Sequence, residues 1–136
     1  MFKFAKICAV FSVILMFTLC CGLNNPSNAA AKNSSKTVVY YFYGKPRCVT
    51  CKNIEAYTKK AVAELKNPKV ELVLIDMDKP ANEHYKKEYG LFTKSVVLSK
   101  VQNGKQTKWK NLPDIWTKIK NEKVFKDYIK KEIKSF

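Results

Sequence analysis

Cys48-Val49-Thr50-Cys51 offers more chemistry than any other stretch of this sequence. A thiolate is both a nucleophile and a metal ligand. Two of them three residues apart can close into a disulfide, or act in turn as attacking and resolving sulfur. The loop such a bridge closes is very small, so it constrains the unfolded chain little and serves poorly as a staple. Placement adds to this. The β-branched and aromatic run Val38-Val39-Tyr40-Tyr41-Phe42-Tyr43 precedes the pair, and a helical pattern runs from Lys52 to Leu65 after it. At a strand-to-helix turn, the partial positive charge of the helix start favours the thiolate of the first cysteine. This arrangement points to redox chemistry.

The rest of the chain bounds where that chemistry happens. A length of 136 residues is one domain rather than two. Lys3 and Lys6 open the sequence, Ile7 to Leu23 is apolar apart from Ser12, Thr18 and Gly22, and a polar stretch then leads to Ala29-Ala30-Ala31. Basic, apolar, small is the order of a secretory signal peptide. Residues 1–31 are therefore expected to be a signal peptide or, if retained, an N-terminal membrane anchor, with 32–136 as the folded domain. The apolar run, about 17 residues, sits at the lower edge of spanning length. Lipidation at Cys20 or Cys21 is the third possibility, although Phe17 and Thr18 stand where lipoproteins usually place leucine. The expected location is exported: periplasmic or otherwise extracytoplasmic, free or membrane-anchored. Of the five cysteines, Cys8, Cys20 and Cys21 fall in this leader, so only Cys48 and Cys51 belong to the domain, which is no disulfide scaffold.

The formal net charge is +15. Without residues 1–31 the domain keeps 24 bases against 11 acids, or +13. Nucleic acid is not the expected partner: the lysines are spread from Lys32 to Lys134 without a dense run, and Arg47 is the lone arginine. A solvated lysine-rich surface with weak attraction to anionic membranes fits better.

Stepping outward from the cysteines, Thr37–Tyr43 reads as a central strand and Cys51–Leu65 as a helix, with Ile54, Tyr57, Ala61, Val62 and Leu65 at three- and four-residue steps. Asn67-Pro68 ends that helix. Val70–Met77 is a second strand, Ala81–Tyr89 a short helix stopped by Gly90, and Val96–Val101 a third strand. Asn103-Gly104 signals a tight hairpin to a fourth strand over Lys105–Lys110. A helical region then runs from Asp114 to Phe136, with a break expected at Asn121-Glu122. The order β-α-β-α-β-β-α implies a parallel crossover and a terminal hairpin: an α/β domain on a central mixed sheet.

This element order, with CxxC after its first strand, resembles the thioredoxin-like fold, and the resemblance covers residues 37 to about 134. It implies that Cys48 is the attacking and Cys51 the resolving cysteine of a thiol-disulfide oxidoreductase without a cofactor. The implied partners are thiol- or disulfide-containing proteins, and the protein is expected to be a monomer. Arg47 and Lys52 flank the pair and can support the thiolate. Val49-Thr50 replaces the Gly-Pro usual in thioredoxins and carries no histidine, so a strong oxidant is not implied. Two family features are missing. The acid usually buried six residues before the first cysteine is Phe42 here; Glu55, one turn beyond Cys51, is a possible substitute, and a Lys59 ion pair is its simpler role. The cis-proline expected before the third strand is replaced within Thr93-Lys94-Ser95, with Ser95 favoured by spacing. Tyr43 and Tyr57 are candidates to line the site; the other aromatics are expected to face the core.

Loss of that proline raises an alternative function, a soft-metal (copper-type) binding or carrier module using the same two thiols. A closed zinc site would need ligands beyond Cys48, Cys51 and the lone histidine, His84, which is expected to be solvated. Haem attachment is excluded, because Lys52 stands where the haem-binding histidine would be.

Overall fold

A computed structural model describes residues 34–136. The leader and its three cysteines lie outside the described residues. Four strands form one sheet in the order β2-β1-β3-β4: β1 Ser35–Tyr43, β2 Val70–Asp76, β3 Ser95–Gln102 and β4 Lys105–Asn111. β1 pairs parallel to β2 and antiparallel to β3, and β3 pairs antiparallel to β4. This is the mixed sheet expected from the sequence. β1 lies between two strands, and five of its nine residues are buried and three more half-buried by facing two cores, which explains its nearly unbroken apolarity.

Strand parity divides those cores. Val39 and Tyr41 point to the face covered by α1 (Val49–Leu65) and α4 (Glu122–Ser135), where they meet Ile54, Ala61, Phe125, Ile129 and Ile133. Phe125, Ile129 and Ile133 recur every four residues and so form one buried stripe along α4. Each full burial of such a side chain contributes about 1.5–3 kcal/mol. Phe42 points to the other face, with Tyr89, Leu91 and Val97. That face is covered by a 3-10 turn at Pro80–Asn82 and the short α2, His84–Glu88, in place of the single helix read over Ala81–Tyr89. Pro80 at the first position of the turn fits there because it has no N–H to leave unbonded.

The expected break in the C-terminal helical region is present. α3 spans Ile115–Lys118, and Asn121 Oδ1 accepts a bond from the Val124 N–H at 3.1 Å to cap α4. Asn103 (φ 51°) and Gly104 (φ 77°) both take the left-handed region that the β3–β4 turn requires. The expectation for the aromatics holds for Tyr41 and Phe42 but fails for the tryptophans. Trp109, on the edge strand β4, and Trp116, in α3, are 43% and 36% exposed. No helix among the described residues is long and apolar enough to cross a membrane.

Candidate active site

α1 begins two residues earlier than its apolar pattern indicates, because Cys48 is its N-cap. Cys48 has extended backbone angles, and its Sγ accepts the Cys51 N–H at 3.2 Å. Its carbonyl oxygen accepts the Lys52 N–H at 3.1 Å, the first intrahelical bond. The sulfur therefore occupies the place where serine or aspartate would satisfy an unpaired helix donor. Cys48 and Cys51 form a disulfide, with Cα atoms 5.1 Å apart. Cys48 is exposed, whereas Cys51 is only 1% exposed. One sulfur is thus open to a partner and the other waits behind it.

Two ties hold this helix start in place. From below, the buried Tyr41 hydroxyl donates to the Cys51 carbonyl oxygen at 2.8 Å, joining β1 to the first turn of α1. Burial raises the Tyr41 phenol above its ordinary value, against a smaller opposing effect of Arg47, so it remains a donor. From the side, Asp78 Oδ2 accepts the Lys45 N–H at 2.6 Å and fastens the turn ahead of Cys48 to the end of β2. Gly44 permits this approach: a Cβ there would sit 3.0 Å from Asp78 Oδ1.

The flanking charges are arranged differently from a simple pair of supporting cations. The Arg47 guanidinium lies over the Tyr43 ring, 4.5 Å from its centroid, and is ion-paired with Glu55. Glu55 also binds Lys59 at 2.6 Å, the pairing expected from the sequence. Arg47 therefore reaches the thiol region with much of its charge matched. Lys52 is exposed and pairs with no acid among the described residues. It shares with Arg47, Glu55, Ala56 and Lys59 the rim of a shallow depression of about 320 Å³.

Ser95 is the first residue of β3, opposite Phe42, at the same sheet end as Cys48. It is buried, and its Oγ donates to the Thr93 carbonyl oxygen at 2.8 Å, bracing the loop where the family proline is missing. Phe92 in that loop is fully exposed. Of the two candidate lining tyrosines, Tyr43 supports Arg47, whereas Tyr57 packs edge-on against Phe125, 5.8 Å between centroids, and belongs to the α1–α4 interface. Phe42, six residues before Cys48, faces away from α1; the β1 side chain that reaches Cys51 is Tyr41. His84 is exposed, its ring tilted 38° to that of Tyr85 with centroids 4.0 Å apart, and its Nδ1 lies 3.0 Å from the Ala81 oxygen. Among the described residues no three of His, Cys, Asp and Glu converge as metal ligands.

No family model matches the chain, and no curated protein matches it. Solved structures do. The Trx4 domain of ERdj5 is 18% identical, with 74% of this chain and 82% of that one covered and a TM-score of 0.50. Thioredoxin from Fasciola hepatica is 21% identical over 71% and 80%, at 0.44. Trxlp from Edwardsiella tarda EIB202 is 15% identical over 73% and 86%, at 0.47. Strand order and crossover give residues 34–136 a thioredoxin-like fold, with the cysteine pair at the start of α1.

Proposed function

We propose that the protein is an exported thiol-disulfide oxidoreductase acting on proteins that carry thiols or disulfides. One observation carries the reading: a disulfide at a helix N-terminus with one sulfur exposed and its partner buried. In the reduced protein the Cys48 thiolate attacks a substrate disulfide. One Cys48–substrate bond forms, and the other substrate sulfur leaves as a thiolate. Cys51, giving up its proton, then attacks Cys48 Sγ, restores the Cys48–Cys51 bond and expels the second substrate thiolate. Two electrons have passed to the substrate, and a dithiol partner must return them; every step runs in reverse for substrate oxidation. Export rests on the basic, apolar, small-residue order of residues 1–31.

Insulin reduction by dithiothreitol tests the activity. The protein should accelerate it at least about tenfold, Cys48→Ser should abolish the acceleration, and Cys51→Ser should accumulate a mixed disulfide. A wild-type rate equal to that of Cys48→Ser would overturn the reading. Stoichiometric Cu(I) held by the two thiols, together with absent exchange activity, would replace it with the carrier function.

A further inference from the structure

Lysines without an ion pair among the described residues stand at both ends of the sheet, Lys45, Lys52, Lys79 and Lys94 at the thiol end. At the thiol end, where β1 and β2 finish and β3 begins, the acids Glu55, Asp76, Asp78 and Asp114 intersperse the bases. At the opposite end, where β1 and β2 begin and α1 and α4 finish, such lysines surround a hollow. Lys66, Lys69, Lys100, Lys105, Lys131 and Lys134 gather there, and none has an ion pair among the described residues. Three acids at this end are ion-paired with other lysines: Glu71 with Lys36, Glu64 with Lys126 and Lys130, Glu132 with Lys110. In the middle of this pole is a depression of about 440 Å³, with Lys69, Lys100 and Lys134 on its wall and Leu65, Val70 and Phe136 among its apolar lining. The Phe136 ring is half-buried and carries the Lys108 ammonium 4.7 Å from its centroid.

We propose that this pole is a docking surface for an anionic phospholipid bilayer, which turns Cys48 away from the membrane. Unpaired lysines around a hollow with a largely polar lining suit a layer of phosphate headgroups. The absence of arginine from the pole, the lone Arg47 being at the thiol end, weighs against nucleic acid, whose phosphates and bases favour planar guanidinium contacts. The chain also enters the domain at this pole. Ser35 lines the hollow, and only residues 24–34 separate it from the apolar run ending at Leu23. Eleven residues reach at most about 40 Å, so a retained leader would hold this pole near a membrane. The proposal does not depend on the redox reading.

Lysine acetylation of the full-length protein, mapped by mass spectrometry, tests it in vesicles of phosphatidylcholine with and without phosphatidylglycerol. Lys69, Lys100 and Lys134 should be protected about threefold or more by the anionic vesicles alone, and ~0.5 M salt should remove the protection. Lys45, Lys52 and Lys79 should label equally in both. A Lys69→Glu, Lys100→Glu, Lys134→Glu variant should lose the protection of Lys66 and Lys131 while keeping wild-type Cys48 reactivity, which reports an intact fold. Equal labelling in the two vesicles, or protection centred on the thiol end, would overturn the proposal. So would equal protection by soluble glycerophosphate, indicating a small-anion site, or stronger protection by a DNA duplex at matched phosphate.

Discussion

At the residue scale, the charge that reaches Cys48 is decided by a partner eight positions from Arg47. The pairing of Arg47 with Glu55 spans the turn and the first helical turn, and neither residue's local sequence indicates it. Glu55→Gln should leave the Arg47 charge less matched and stabilise the thiolate. The pH midpoint of Cys48 alkylation should then fall by roughly 0.3–1 pH unit. An unmoved or raised midpoint would show that Arg47 does not act on the sulfur. The cysteine pair itself was legible, because CxxC after a β-branched run and before a helical period is a local pattern. Tyr41 was not. Which β1 side chain lies beneath Cys51 depends on the path of the intervening turn, so counting residues back from Cys48 selected Phe42, on the wrong face.

At the element scale, α1 is held by its N-cap sulfur, the Tyr41 hydroxyl and a set of lysine–carboxylate pairs to α4. Tyr41→Phe keeps the ring and removes one buried hydrogen bond, so urea unfolding should show a loss of about 0.5–1.5 kcal/mol. Asp78→Ala frees the Lys45 N–H; Cys48 alkylation should change in rate while the unfolding midpoint moves little, and an unchanged rate would show that the turn holds itself. The α1–α4 pairs set the acid response. Hydrogen bonds from Lys126 and Lys130 lower Glu64 and one from Lys60 lowers Glu122, while within α4 those from Lys123 and Lys130 lower Asp127. Carboxylates lowered by folding contribute stability fully above their ordinary values, 4.5 for Glu and 3.8 for Asp, and lose it as pH falls through the lower folded values. Thermal midpoints should be flat from about pH 6 to 8 and drop below about pH 4.5, less steeply for Glu64→Gln and less at high salt. Strand and helix periods, the Asn103-Gly104 turn and the Asn121 break were all readable because each is a short-range preference. The start of α1 was displaced because a sulfur does the capping, with β-branched Val49 and Thr50 immediately behind it.

At the scale of the whole molecule, the proposed exchange site and the proposed docking pole lie at opposite ends of one sheet. Net charge was readable from composition, but the hollow's lysines were not, because Lys69, Lys100 and Lys134 come from a turn, a strand and a helix that only the topology assembles. What the molecule can do nevertheless depends on one asymmetry: Cys48 open at the helix start, Cys51 sealed behind it. Limited iodoacetamide alkylation of the fully reduced protein across pH, with the modified residue mapped by mass spectrometry, measures that asymmetry. Cys48 should react at least about tenfold faster than Cys51, with a midpoint below the free-thiol value of ~8.5. Equal rates, faster reaction at Cys51, or a midpoint at or above the free-thiol value would contradict it.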